Sequence, residues 1–194
     1  MTRLSIAKEE INLLPPMEFD GEIVEIITPE GAKRAAQILQ NEKVLGFDTE
    51  TRPSFTKGES YTPSLLQLGT RDSAFIFRLK FYQFPDELVS LLESPDVLKV
   101  GIGIKDDLVG LGKIVKFKPA GFVDLADVMK KKGMTSASLR SLTAIFLGKR
   151  LFKKAKTTNW ERKELTDAQI KYAAIDAVVG FLIHEQIINM DKSE

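Results

Sequence analysis

The chain reads as an α/β domain built on a mixed central β-sheet, with an antiparallel meander inside the sheet and helices on both faces. Three observations predict this. Apolar strand-like runs alternate with helical stretches along most of the 194 residues, the order that layers helices on a sheet. Residues 44–47 are apolar or small throughout, as in a strand covered on both sides. Two further apolar runs, 64–69 and 74–77, are separated only by Thr70, Arg71, Asp72 and Ser73, the composition of a hairpin turn. With the strand before them they make the meander.

The elements follow in order. Residues 1–20 lack clear periodicity and carry Pro15-Pro16, predicting an N-terminal arm ahead of one domain over 21–194. Residues 22–27 read as a first strand. Thr28 can cap a helix and Pro29 suits its first position, after which Ala32, Ala35, Ala36 and Leu39 recur at helical spacing. The strand ending at Asp48 comes next. Residues 52–63 are polar and contain Gly58 and two prolines, predicting a mobile loop beside that strand end, placed to gate a substrate. Residues 85–92 predict a short helix with Leu88, Leu91 and Leu92 inward, 97–104 another strand-like run, and 122–128 and 138–147 two helices. Gly148 stands where a glycine ends the second of these. Thr166-Asp167-Ala168-Gln169 fits a capping box that opens a last helix through Tyr172, Asp176, Leu182 and Ile183.

Composition bounds the function. Hydrophobic residues make up 43% of the chain and cysteine is absent, so the sequence describes a globular domain without disulfides or thiolate metal sites. The N-terminal residues hold scattered charges and no long apolar run, and the expected location is the cytoplasm. Twenty-eight basic against twenty-seven acidic residues leave the net charge silent about nucleic acid, so the positions of the charges carry the argument.

The chemistry starts at Asp48 and Glu50. Two residues apart on a strand, they point to one face, and carboxylates held that close repel unless a cation lies between them. A hard divalent ion such as Mg2+ or Mn2+ suits oxygen donors of this kind. Tyr172 and Asp176 lie four apart on the last helix and share a face. Asp107 follows Gly101-Ile102-Gly103-Ile104 at a strand mouth where a helix begins, with Asp106 as the adjacent alternative. Activating a water and stabilising a leaving oxygen in line takes two cations about 3.5–4 Å apart, held by carboxylates from several elements. Asp48, Glu50, Asp107 and Asp176 are such a set.

Phe47-Asp48-Thr49-Glu50, then Gly101 through Asp107, then Tyr172-Ala173-Ala174-Ile175-Asp176 resemble, in order and spacing, the three motifs of the DEDDy 3'-to-5' exonucleases. Leu147-Gly148-Lys149 and Asn159-Trp160 between the later motifs are similar to the Werner-type branch, close to ribonuclease D. The resemblance implies a ribonuclease H-like fold, two divalent cations, and release of nucleoside 5'-monophosphates from the 3' end of single-stranded or partly duplex DNA or RNA. It implies that Asp48, Glu50 and Asp176 hold a first metal, that Asp48 bridges to a second held by Asp107, and that Tyr172 orients the attacking water. A phenol with an ordinary pKa of about 10 is too weak a base to do more than position it. The only histidine, His184, lies eight residues beyond Asp176, on the wrong side for the histidine branch of the family.

Thr49 and the stretch with Lys153, Lys154, Lys156 and Trp160 are the expected nucleic-acid contacts, since lysines bind phosphates and an indole stacks on a base. Trp160 equally suits a core plug. Lys130-Lys131-Lys132 with Lys149 and Arg150 form further basic clusters, open to phosphate binding or to plain solvation. A catalytically silent nucleic-acid-binding module is the reading from another class, and without an accessory binding domain low processivity is expected.

Overall fold

A computed structural model describes residues 4–56, 58–135, 137–152 and 158–192. Six strands form one sheet: β1 (Glu22–Ile26), β2 (Val44–Glu50), β3 (Leu65–Gly69), β4 (Ser73–Arg78), β5 (Leu98–Gly101) and β6 (Phe122–Asp124). Their spatial order is β1-β4-β3-β2-β5-β6. β2, β3 and β4 are the antiparallel meander, while β1 pairs with β4, β5 with β2 and β6 with β5 in parallel.

Among the described residues the helices are α1 (Lys8–Leu13), α2 (Pro29–Leu39), α3 (Asp86–Glu93), α4 (Ile104–Gly112), α5 (Leu125–Lys131), α6 (Leu139–Leu147) and α7 (Asp167–Asp191). Two apolar cores result. One gathers α2, α3 and α4 residues such as Ala36, Leu91 and Leu111 with Leu66 and Phe77 of the sheet. The other joins α5, α6 and α7 to the opposite face through Leu65, Ile76, Met129, Leu142 and Val178. A sheet with both faces apolar needs both covers.

The central helix is α7. Thr166 and Gln169 exchange side-chain and backbone hydrogen bonds as a capping box, an arrangement worth about 1 kcal/mol. Its apolar composition would suit a membrane span, yet more than half of that stretch is buried within this fold, the pattern of a core helix. It lies directly on β2 and β3. A Cβ added to Gly46 would come within 1.8 Å of the Ala177 carbonyl oxygen, and one added to Gly69 within 2.8 Å of the Val178 nitrogen. The two glycines face each other in the register, so the strands are bare where the helix backbone crosses them.

Two local expectations are corrected, and the N-terminal segment gains a structural description. Residues 122–124 are not the start of a helix but the edge strand β6, with α5 beginning at Leu125 behind an Asp124 cap; parallel pairing with β5 decides between two readings of one short apolar run. The run 97–104 keeps strand geometry only to Gly101, then turns into α4. The N-terminal arm is packed down: Ile11, Met17 and Phe19 are buried. Arg150, read as part of a basic cluster, anchors this segment. Its Nε donates to the Leu14 carbonyl at 2.9 Å, its N–H to Pro15 at 2.9 Å, and its carbonyl accepts from Met17 N–H at 2.8 Å.

Candidate active site

Asp48 and Glu50 project from β2 toward α7, where Asp176 meets them. Carboxylate oxygens of all three lie within 4.8 Å of one another, with Glu50 and Asp176 buried. Loss of hydration, then the charges of Asp176, Glu50 and Asp107, push the Asp48 carboxyl well above the usual range. Only the Thr49 N–H, donating to Asp48 Oδ1 at 2.9 Å, opposes this. Three carboxylates so arranged hold protons or a cation, because they cannot all stay charged alone.

Asp107 enters from the first turn of α4, and it is the member of the Asp106-Asp107 pair that faces β2. The Thr49 hydroxyl donates to Asp107 Oδ1, whereas Asp106 is exposed. Burial raises the Asp107 carboxyl to about 6, against the opposing Thr49 bond. The start of α4 is pinned by Asp124, a residue the sequence did not flag. Its Oδ2 accepts from the N–H groups of Gly103 at 2.9 Å and Ile104 at 3.2 Å, and its Oδ1 from Ala126 at 2.9 Å. One carboxylate thereby ties the N-termini of two helices, where the helix dipole favours negative charge. An aspartate just before an apolar helical run was the available signal, and it bears on the α5 half alone.

Tyr172 is half-buried one turn before Asp176 and hydrogen-bonds to it. Burial foremost, then the charges of Asp176 and Glu50, drive the phenol's ionisation far upward, so it stays protonated and donates. Its ring lies 6.0 Å from that of Trp160. Trp160 is 0% exposed, which corrects its assignment as a base-stacking contact: the indole is a core plug that supports Tyr172. Gln169 fixes the same segment, donating from Nε2 to Thr158 Oγ1 at 3.0 Å and to the Asn159 carbonyl at 3.2 Å. Thr49, part-exposed at the site, spends its hydroxyl proton on Asp107. Lys153, Lys154 and Lys156 lie outside the described residues. Lys130 and Lys132 pair with Asp127 at 3.5 Å and Asp191 at 2.5 Å, and His184 stands two turns beyond Asp176, roughly 12 Å along the helix.

A cavity of about 530 Å3 opens beside Tyr172 and Asp176, walled by Leu151, Phe152, Arg162 and Lys171 among others. The loop expected to gate the site is tethered at its ends: Arg52 pairs with Glu161 at 3.4 Å, and Lys80 reaches Thr62 at 2.7 Å and Glu161 at 3.5 Å.

A family model for 3'-5' exonucleases matches residues 23–191. The chain belongs to the 3'-5' exonuclease family. Along 91% of its length this exonuclease domain is 32% identical to the bifunctional 3'-5' exonuclease/ATP-dependent helicase WRN of Mus musculus, and it spans 13% of that protein. Among solved structures it is similar to the Nibbler EXO domain of Aedes aegypti, with a TM-score of 0.82 and 20% identity over 92% of this chain and 93% of that one. It is also similar to Trypanosoma brucei RNase D in complex with RNA U12, with a TM-score of 0.77 and 19% identity over 88% and 63% of the two chains. The fold is thus ribonuclease H-like, and the kinship with the Werner-type and ribonuclease D branch holds.

Proposed function

We propose that this domain is a metal-dependent 3'-5' exonuclease that hydrolyses phosphodiester bonds of DNA or RNA from the 3' end and releases nucleoside 5'-monophosphates. The observation that carries the reading is the cluster of Asp48, Glu50 and Asp176 oxygens within 4.8 Å. Hard, anionic oxygen donors brought together from a strand and a helix, with mutual repulsion that already raises Asp48, fit Mg2+ or Mn2+. Asp48, Glu50 and Asp176 would hold a first ion, and Asp48 with Asp107 a second. Bound cations supply positive charge that makes a water nucleophilic near neutral pH and offsets charge on the leaving oxygen.

The chain's own groups do the rest. Tyr172 keeps its proton, so it orients the attacking water and does not take the water's proton. Trp160 and the Gln169 bonds hold the helix start that carries Tyr172 in place. Asp124 sets the first turn of α4 and with it Asp107, whose Oδ1 is steadied by the Thr49 hydroxyl. The cavity beside Tyr172 and Asp176 receives the strand end, with Arg162 and Lys171 offering charge to phosphates. In the T. brucei RNase D structure the bound molecule is RNA, which makes RNA one of the two substrates to try.

The test is degradation of a 5'-labelled single strand of DNA and of RNA with Mg2+ or Mn2+, comparing wild type with Asp48→Ala and Tyr172→Phe. Ladders shortening from the 3' end, abolished by the first substitution and slowed by the second, are expected. No shortening of either strand with either metal overturns the enzyme and leaves a binding module.

A further inference from the structure

The Gln67 amide is unaccounted for by the fold. Gln67 sits in the middle of β3 with 0% exposure, and among the described residues neither its Oε1 nor its Nε2 meets a hydrogen-bond partner. A buried amide left in that state costs stability that an apolar side chain of the same size would not, so its presence asks for a local reason.

Its position supplies one. Gln67 is the direct partner of Asp48 across β2 and β3, and opposed residues of an antiparallel pair project to the same face with Cβ atoms about 4.5–5.5 Å apart. On that face the neighbouring pair on one side is Gly46 with Gly69, where the α7 backbone rests, and on the other Glu50 with Leu65. The amide is thus buried beside the Asp48 side chain, at a separation a long side chain can span.

The geometry points to Gln67 as a positioning residue for Asp48: its amide, unpartnered without metal, donates to a carboxylate oxygen of Asp48 once a divalent cation is bound and so fixes the orientation in which Asp48 holds that cation. This rests on the metal-binding reading above. An ionised carboxylate has about four lone-pair sites, and the Thr49 N–H takes one of those on Oδ1. Ligating carboxylates are steadied by such outer donors, whose removal costs roughly 10- to 100-fold in metal affinity.

The experiment titrates Mn2+ against thermal unfolding of wild type and Gln67→Met. Two results together are expected: a metal-free Tm no lower than wild type, because an unpartnered amide is gone, and a Mn2+ midpoint raised roughly 10- to 100-fold. A purely structural amide would move the first and not the second. A lowered metal-free Tm, or an unchanged midpoint, overturns the proposal. Should Gln67→Met not fold, Gln67→Asn, an amide one methylene short, is judged on the midpoint alone. If the wild type itself shows no response to Mn2+, the metal-binding reading falls and the proposal with it; a responsive wild type with an unshifted variant overturns the Gln67 role only.

Discussion

Replacing Asp48 by asparagine should strengthen the metal-free fold while removing function. The change keeps the side chain's size and the Oδ1 that accepts from Thr49 N–H at 2.9 Å, and it deletes one negative charge. At the 4.8 Å that bounds the cluster, two unit charges repel by roughly 3–4 kcal/mol at an effective dielectric constant of about 20. Asp48 makes two such pairs, with Glu50 and with Asp176. Proton uptake favoured by the upward push on the Asp48 carboxyl relieves part of that repulsion, so the part left at pH 8 is taken as a fraction of the Coulomb figure, about 1–3 kcal/mol. Relieving it raises Tm by roughly 2–10 °C for a chain of this size. The assay is thermal unfolding followed by circular dichroism in EDTA at pH 8, repeated at pH 5, where the gain shrinks because the wild-type cluster is protonated. Mn2+ at a hundred times its Kd should stabilise the wild type by about 2.7 kcal/mol and leave the variant nearly unmoved. A metal-free Asp48→Asn protein melting below wild type at pH 8 would refute the reasoning, because it would show Asp48 held by favourable contacts and not strained by like charge.

Three further outcomes are expected. Tyr172→Phe keeps the ring against Trp160 and removes only the hydroxyl, so kcat should fall roughly 10- to 100-fold with Tm almost unchanged; a Tm loss matching the activity loss would contradict a positioning role. Trp160→Ala empties a fully buried site and should cost about 3–5 kcal/mol, measured by urea unfolding, whereas a surface-like effect below about 0.5 kcal/mol would return the indole to the substrate side. Metal-free stability should fall as pH rises. Asp107, raised to about 6, and Asp48, also raised, retain protons that the unfolded chain releases near pH 4. Raised carboxylates stabilise fully below the unfolded value and lose that contribution as pH climbs through the folded ones. Melts in EDTA from pH 5 to 8 should therefore slope downward, and an upward slope would count against the crowded cluster.

Local signals carried much of this fold. The capping box at Thr166, the glycine stop at Gly148 and the Thr28-Pro29 start are determined by residues within one turn, and each stands where the sequence predicts it. The paired acids of β2 follow from period-two geometry alone. What stayed hidden depends on partners distant in sequence. Phe122 and Val123 become strand because β5 lies alongside, and Met17 is buried because Arg150 grips the chain around it. The Thr49 hydroxyl points to Asp107 because α4 starts where Asp124 holds it, and Trp160 turns inward because Tyr172 is there to meet it. Gln67 was passed over inside an apolar run; its isolation shows only once Asp48 is its neighbour and α7 closes over both.

The most direct measurement is identification of the mononucleotides released from an oligonucleotide with a free 3'-hydroxyl by metal-stripped protein, with and without added Mn2+ or Mg2+. Nucleoside 5'-monophosphates appearing only with added metal, and not with Asp48→Ala, are the predicted result. Release without metal, or products carrying the phosphate at the 3' position, would contradict the account.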